Sequence, residues 1–529
     1  MFKKTILLAA VVLSQSHGTP SDGNWTTYNR TLPGDRFSPL AEITRTNVTE
    51  LKQICLYQLP EVTSLQTGPL VIDGTMYFTA DANSYAIDAA TCALKWKVAR
   101  TGPPSPLAVN RGFAYLNGRL FRGTSDAHVL ALDSADGHQI WDRAVDPNVP
   151  GVSIPMAPIA ANGLVFVGHA GGDQVGVIGH VYALSAKDGH IVWTFAVVPQ
   201  NGPARSTWSN TTLPITGGGF WTSFTYDEAN DVLYVPAGNP APNLDSGWRT
   251  GDDLYTNSVI ALDASSGRML AYNQIVRRDT HDWDVDSPPS LVTTRSGRKV
   301  VASANKDGLL SVLDRTRIVR GASIPNSIAG EALPTLWQAP TTRRENADVP
   351  LSSAAAVHFC PGISGGVEWN GAAFSAAANA FFVGAVDWCA TAQLSKKETV
   401  PPAGSPWFGT DEPISKILDP PDQARGWLTS FDAETGVVRW KTQTPQPLVA
   451  AVTPTAGGLV FAADLGGQLY AVDADTGKIL WQVATGQSTG GGIVSYLAGG
   501  RQRVGVASGM HSPVWPGGAD KSRILVYGL

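Results

Sequence analysis

The sequence is poor in charge and in cysteine, and it lacks most of the short motifs that announce a particular chemistry. Charged residues make up only 16 % of its 529 residues, the formal net charge is -5, and no dense basic block is present. A nucleic-acid surface built on clustered lysine and arginine is thereby excluded. The four cysteines, Cys55, Cys92, Cys360 and Cys389, form no CxxC pair, which argues against zinc ribbons and thioredoxin-type redox chemistry. The absence of CxxCH excludes covalent haem attachment. No GxGxxG follows a strand and opens a helix, so a nicotinamide dehydrogenase is disfavoured, and the glycine-rich GQSTGGGIV reads as a turn. No helix-length amphipathic segment occurs. Beyond the N-terminus, no apolar run approaches the roughly 18 residues of a membrane helix.

What is present begins with Lys3 and Lys4, an apolar run ending near Leu13, and then small and polar residues. This is the layout of a secretory signal peptide, placed at residues 1–19, and it implies a periplasmic or secreted protein with no membrane span. In an exported chain an even cysteine count favours two disulfides. Cys55 with Cys92 and Cys360 with Cys389 is the expected pairing among the three connectivities that four cysteines allow.

Hydrophobic residues at 43 % supply a large core, and 55 Gly with 36 Pro require many turns. One pattern recurs: an apolar pair, Asp or a substitute, a turn ending in Gly, then a strand closing on an aromatic. Copies end at Trp96, Trp141, Trp193, Tyr272, Trp440 and Trp481, with a degenerate copy near Asp314. Each reads as a hairpin whose Asp caps backbone amides, whose Gly takes positive φ, and whose terminal Trp offers a flat face to the next unit. Another strand pair precedes each copy. Four short strands per 40–50 residues or so is the signature of propeller blades. An all-β propeller of Trp-docked, four-stranded blades is therefore predicted, as a single domain over residues 20–529 with no cytochrome domain. The long gap between Trp193 and Tyr272 predicts inserted loops, and the Pro-rich stretch Val400 to Gln423 predicts a plain loop more readily than a lid.

The densest polar cluster is THDWDVDSPP, with His281, Asp282, Asp284 and Asp286 around Trp283. In an extended segment the three aspartates share a face, and carboxylates so close repel unless a cation holds them. An oxygen-only set suits a hard ion such as calcium, although a solvated acidic loop is the more ordinary reading of this segment alone. His281 is expected to hydrogen-bond locally, and Asn239, in a Gly-Asn-Pro turn, reads either as a turn former or as a metal-binding amide.

Taken in order, NWTTYNRTLPGDRFSPLAEITRTNV, VNRGFAY, GNPAP, HDWD, ANKDG and the Trp-closed repeats resemble the PQQ-dependent alcohol dehydrogenases, the family that includes methanol dehydrogenase. The resemblance implies an eight-bladed propeller with pyrroloquinoline quinone (PQQ) near its axis. It implies Asp284 as catalytic base and metal neighbour, Asn239 as a metal ligand, and Trp221 as the floor under the quinone. It implies Arg111 on a PQQ carboxylate and Lys306 at the reactive quinone edge. The family's remaining metal ligand, a Glu, corresponds to Asp173, with Gln174 as the alternative. Further departures are Gln66 for a family Glu, Glu368 for a family Asn, Ser105-Pro106 for an adjacent-cysteine disulfide, and Pro155 for a Thr, with Ser153 keeping a hydroxyl nearby. Trp369 reads equally as a pocket or a core residue. Asp286 is similar to the extra carboxylate of the lanthanide-dependent branch, so calcium and a lanthanide both remain open. The context around Glu368 resembles the polyvinyl-alcohol and secondary-alcohol dehydrogenases. A small or polymeric alcohol as substrate and a separate acceptor such as a cytochrome c are then implied. The rival reading is a non-catalytic propeller scaffold.

Overall fold

The structure is a computed structural model describing residues 23–102, 109–209, 213–321, 332–397, 399–518 and 520–529. The expected signal segment and Ser105-Pro106 lie outside the described residues. Eight four-stranded antiparallel sheets follow one another along the chain and form the blades of a propeller. They span residues 70–99, 114–144, 159–196, 225–274, 290–340, 373–444 and 453–484 for blades 1 to 7. Blade 8 takes three strands from 493–528, and its fourth is Lys52–Gln58 from the other end of the chain, paired antiparallel to Arg523–Gly528. The ring is thus closed by hydrogen bonds between distant segments, and Arg523–Gly528 is paired on both sides instead of being left as an edge.

The repeat pattern builds the joints between blades. In blade 1 the Asp88 carboxylate accepts the backbone N–H groups of Ala90 and Thr91, and Asp473 does the same for Asp475 and Thr476 in blade 7. The Gly four residues after the Asp has positive φ, and it is also the seat of the preceding blade's tryptophan. A Cβ at Gly137, Gly189, Gly267, Gly436 or Gly477 would fall 2.6–2.8 Å from the ring of Trp96, Trp141, Trp193, Trp337 or Trp440. Four of these indoles also donate Nε1–H to the residue after the next blade's turn Asp or its substitute, at 3.1 Å to Ser134, 3.2 Å to Ala186, 2.9 Å to Ala264 and 2.9 Å to Ala474. Flat ring on bare glycine therefore fixes both the spacing and the rotation of adjacent blades.

Three of the eight joints depart from this rule: between blades 7 and 8 Trp481 meets Tyr527 edge-on at 5.7 Å in place of a turn glycine, and the other two are compensated by paired changes. The sequence pattern places Tyr272 as the closing aromatic of blade 4, but the register puts Ala271 opposite Ala261, where the other blades carry the indole. A shift of one residue turns a side chain to the other face of a strand. The following turn has Ile318 in place of Gly, and the buried Ala271 and Ile318 share one apolar cluster, a small-plus-large pair replacing a large-plus-small one. At the closing joint, Cys55 stands opposite Val526 at the indole's register position, and Cys92, with φ +60°, occupies the glycine's. The Cys55–Cys92 disulfide thus replaces the aromatic dock, and Cys360–Cys389 is also formed, as the pairing expected from sequence. The degenerate copy near Asp314 is blade 5, and its closing residue is Trp337.

All connections from second to third strands, and all links between blades, emerge on one face of the ring. The stretch after Cys389 is more than a plain loop. It leaves blade 6 and reaches blade 3, where Trp407 N–H donates to the Asp173 carbonyl at 2.8 Å and Val175 N–H to that of Ser405 at 2.9 Å. Among the described residues, no helix is long and apolar enough to cross a membrane.

The docking rule is tested by two alanine substitutions at positive-φ glycines. Gly163 has φ +79° and nothing within 4 Å of an added Cβ, so Gly163→Ala should cost only the backbone strain, about 1–2 kcal/mol. Gly189→Ala adds a clash with Trp141 and should cost about 1–3 kcal/mol more. Denaturant unfolding of both variants checks the difference, and equal losses would refute the docking role.

Candidate active site

Every candidate residue sits on the loop-bearing face. Gln66, Arg111, Ser153, Trp221, Asp284, Asp286, Glu368 and Trp369 lie on blade-to-blade links, and Asp173, Asn239 and Lys306 lie between second and third strands. Gly238 packs so tightly that an added Cβ would lie 2.5 Å from Asp284 Oδ1, and this leaves the Asn239 backbone free to approach. Asp284 Oδ1 accepts the Asn239 backbone N–H at 2.9 Å, and Oδ2 accepts Lys306 Nζ at 2.9 Å. Lys306 Nζ also donates to the carboxylate of Asp282 at 3.2 Å and to its carbonyl at 3.1 Å. Asp282 has φ +61°, so the acidic segment is not the uniformly extended strand assumed from its spacing.

Asp173, Asn239 and Asp284 converge. The Asp173 carboxylate feels the Asp284 charge and its Oδ1 accepts Asn243 Nδ2 at 2.8 Å, while the Asn239 side-chain amide donates to the Pro240 carbonyl at 3.1 Å. Asn243 also donates to Asp282. Asp286 points elsewhere. Both its oxygens are buried without a hydrogen-bond partner, and its strongest charged neighbour is Glu368, ahead of Asp284. Among the described residues, Asp173, Asp284 and Asp286 do not bring their oxygens within 4.8 Å of one another as a trio. Glu368, 4 % exposed, likewise has a buried oxygen with no partner.

The electrostatics follow from this crowding. Burial, then the neighbouring acids, push the carboxyls of Asp173 and Asp286 upward, and burial pushes Glu368 up to about 7. Asp282 is raised by burial and by Asp173 and Asp284, against the pull of Lys306. Lys306 is held above the usual lysine range by Asp282 and Asp284, against its own desolvation. Five acids thus face two cations, Lys306 and Arg111, and full ionisation would leave an excess of negative charge in a water-poor site.

Beside the acids lies an aromatic plate. Trp221 is half-buried, with the Arg111 guanidinium 4.9 Å and Lys306 Nζ 6.0 Å from its ring centroid. Arg111 also lies 5.2 Å from the centroid of Trp369, donates to the Trp221 carbonyl at 3.0 Å and donates to Gln66 Oε1 at 2.7 Å. Desolvation lowers it to about 10. Trp369, open between two readings in the sequence, is 2 % exposed and anchored by Nε1–H to the Gly490 carbonyl at 2.9 Å. Ser153 is fixed by a backbone bridge to Ala170, three residues before Asp173. His281 stacks on Trp283 at 4.4 Å and bonds locally to Asp279 and Thr280. Sequence reasoning missed the bridging roles of Asp282 and Asn243. Their only signals were the left-handed preference of an Asp preceding Trp283 and the Asn that closes GNPAPN.

The residue set fits a hard cation and a planar polyanion. Orphaned carboxylate oxygens need a positive partner, and an indole flanked by guanidinium and ammonium groups suits a flat, acidic ring system.

The family model "Glucose/ethanol/alcohol dehydrogenase, beta-propeller domain" matches residues 25–318, more than half of the chain. Residues 423–509 match the model of the outer membrane protein assembly factor BamB. The chain is 29 % identical to the dehydrogenase subunit of the quinone alcohol dehydrogenase of Gluconacetobacter polyoxogenes, over 97 % of this chain and 76 % of that one. It is 28 % identical to the quinoprotein alcohol dehydrogenase PedH of Pseudomonas putida, over 93 % and 87 %. Among solved structures it superposes on the quinohemoprotein alcohol dehydrogenase of Comamonas testosteroni with TM-score 0.82 and 25 % identity, covering 96 % of this chain and 80 % of that one. A europium-containing methanol dehydrogenase shares the fold at TM-score 0.84 and 24 % identity, over 96 % and 98 %. The chain belongs to the PQQ-dependent, or quinoprotein, alcohol dehydrogenase family and is an enzyme of that class.

The charge imbalance makes a signed prediction. A carboxyl raised from about 4.5 to about 7 stabilises the fold below pH 4.5 and loses that contribution as pH rises through 7. For the cofactor-free protein, Glu368→Gln should leave the thermal midpoint unchanged near pH 4.5 and raise it near pH 8, and added calcium should narrow the gap. A gap independent of pH would show that Glu368 is not held protonated.

Proposed function

We propose that the protein oxidises a secondary or bulky alcohol to the carbonyl compound with Asp284 as general base. The observation that carries this reading is the placement of Asp284, whose carboxylate is fixed by the Asn239 backbone and Lys306 at the mouth of the ring beside the Trp221 plate. The chemistry that PQQ would supply when bound is a two-electron sink for the hydride leaving the alcohol carbon, and a calcium-class or lanthanide ion would supply Lewis acidity. Asp173, Asn239 and Asp284 hold the ion, with Asp286 adding charge on the Glu368 side. Trp221 supports the ring system, Arg111 and Gln66 meet its acidic edge, and Ser153, Glu368 and Trp369 line the same pocket. Asp284 takes the hydroxyl proton, and Lys306 places positive charge where negative charge develops.

The chain acts as one propeller domain, exported after loss of residues 1–19 to the periplasm or medium, where its two disulfides persist. A soluble cytochrome c takes the electrons onward. A scaffold role like that of BamB is disfavoured, because a binding ring has no use for partnerless buried carboxylates beside a cation-flanked indole.

Reconstitution with PQQ and either calcium or lanthanum, followed by dye reduction over primary, secondary and polymeric alcohols, tests the reading. Asp284→Asn should lower kcat by about 10²–10⁴-fold with folding intact. Activity preserved in Asp284→Asn, or methanol preferred over secondary alcohols, would contradict it.

A further inference from the structure

On the loop-bearing face, where blade 2 gives way to blade 3, three side chains that the PQQ pocket does not use converge from separate elements. Asp146 follows the last strand of blade 2, His169 follows the strand Leu164–Gly168, and His180 opens the strand His180–Ser185. Their ligand atoms lie within 4.8 Å of one another. His169 Nε2 is 3.3 Å from His180 Nδ1 and 3.2 Å from the Asp146 carboxylate, and His180 Nδ1 is 3.9 Å from the same carboxylate. A tetrahedral site with bonds of about 2.0–2.1 Å has ligand–ligand edges of about 3.3 Å, so the triangle already has the size of one face of such a site.

The protonation pattern points the same way. His169 Nδ1 lies 3.0 Å from the Ala170 carbonyl, which only accepts, so the proton is on Nδ1 and the lone pair on Nε2. A ring nitrogen anchored to a carbonyl while its partner faces a carboxylate is the arrangement that orients metal-bound histidines. Nε2 also accepts the His180 backbone N–H at 3.2 Å, a contact that an ion on the same lone pair would displace. A proton on His180 Nδ1 satisfies the edge toward His169 and leaves that lone pair facing Asp146. A shared cation satisfies all three edges. Tyr182 donates its hydroxyl to Asp146 and so orients the carboxylate from behind. His169 is 1 % exposed, whereas His180 and Asp146 keep side-chain exposures of 30 % and 21 %, which gives an ion a route in.

We propose that Asp146, His169 and His180 form a second cation site that takes a divalent transition ion of the zinc class, with water in the fourth position. Two imidazole nitrogens and one carboxylate select such an ion over calcium, which the oxygen-rich cluster at Asp284 suits better. The ion would pin the start of the loop that carries Asp173 four residues after His169. This reading is independent of how Asp284 acts.

The test uses untagged, full-length protein kept in calcium and titrated with Co(II), then with zinc. One equivalent of Co(II) should give the ligand-field bands of a four-coordinate ion, and zinc should displace it. Asp146→Asn and His180→Ala should each weaken binding more than about tenfold while near-ultraviolet circular dichroism stays native. His138→Ala, at the exposed Asp133/Asp136/His138 group, should leave it unchanged. Absence of those bands in the unsubstituted protein would overturn the proposal, as would binding that Asp146→Asn leaves at full strength.

Discussion

The structure depends on one electrostatic constraint: four buried carboxyls and a fifth at the rim are gathered around a single lysine, with one arginine beyond it. Lys306 bonds Asp282 and Asp284 together, but among the described residues no hydrogen-bond donor reaches either oxygen of Asp286 or Oε1 of Glu368. Burying unpaired charge costs several kcal/mol per ion, so such a cluster is retained only where something outside the chain balances it. Every other feature of the site is arranged around that imbalance. The Asn239 backbone holds Asp284 from one side, Asn243 spans Asp173 and Asp282, and Arg111 rests between two indoles at the far end.

Such an arrangement survives only on a rigid frame. Like charges this close would push apart any pair of loops free to move, and here the loops come from blades locked by ring-on-glycine docks. The frame is reinforced at its weakest points. The joint between chain ends exchanges the indole for a disulfide, and the segment from blade 6 crosses to blade 3 and fixes the backbone of Asp173. Local side-chain choice, blade geometry and site geometry are therefore links in one chain of cause.

Much of this was legible in the sequence because a propeller repeats itself. The Asp-x-x-x-Gly turn with its closing aromatic, intact in three blades and changed at a single position in three more, marks six of the blades by its own physics. Blade 4 misled by one residue, since an aromatic stood next to the true docking position and only the strand register separates Ala271 from Tyr272. Blade 8 was silent because its fourth strand lies more than four hundred residues away in sequence, and its dock is a cysteine pair without an Asp-Gly-Trp signature. In the site, Asp284 was legible in the acidic run THDWDVDSPP and Asn239 in its Gly-Asn-Pro turn, whereas Lys306 came only through the resemblance of ANKDG to the family. The roles of Asp282 and Asn243 were not legible, because their importance lies in what they bridge, and bridging is a property of three dimensions. The reach of Val400 to Gln423 toward Asp173 was hidden for the same reason, as proline content reports a loop and says nothing of where it lands.

The central claim, that the acid cluster is completed by a cation, is tested most directly by anomalous diffraction from crystals of the PQQ-loaded protein grown with lanthanum. The account predicts a single strong peak bounded by the side chains of Asp173, Asn239 and Asp284. A map without a peak there, with the acids instead paired by shared protons, would contradict it.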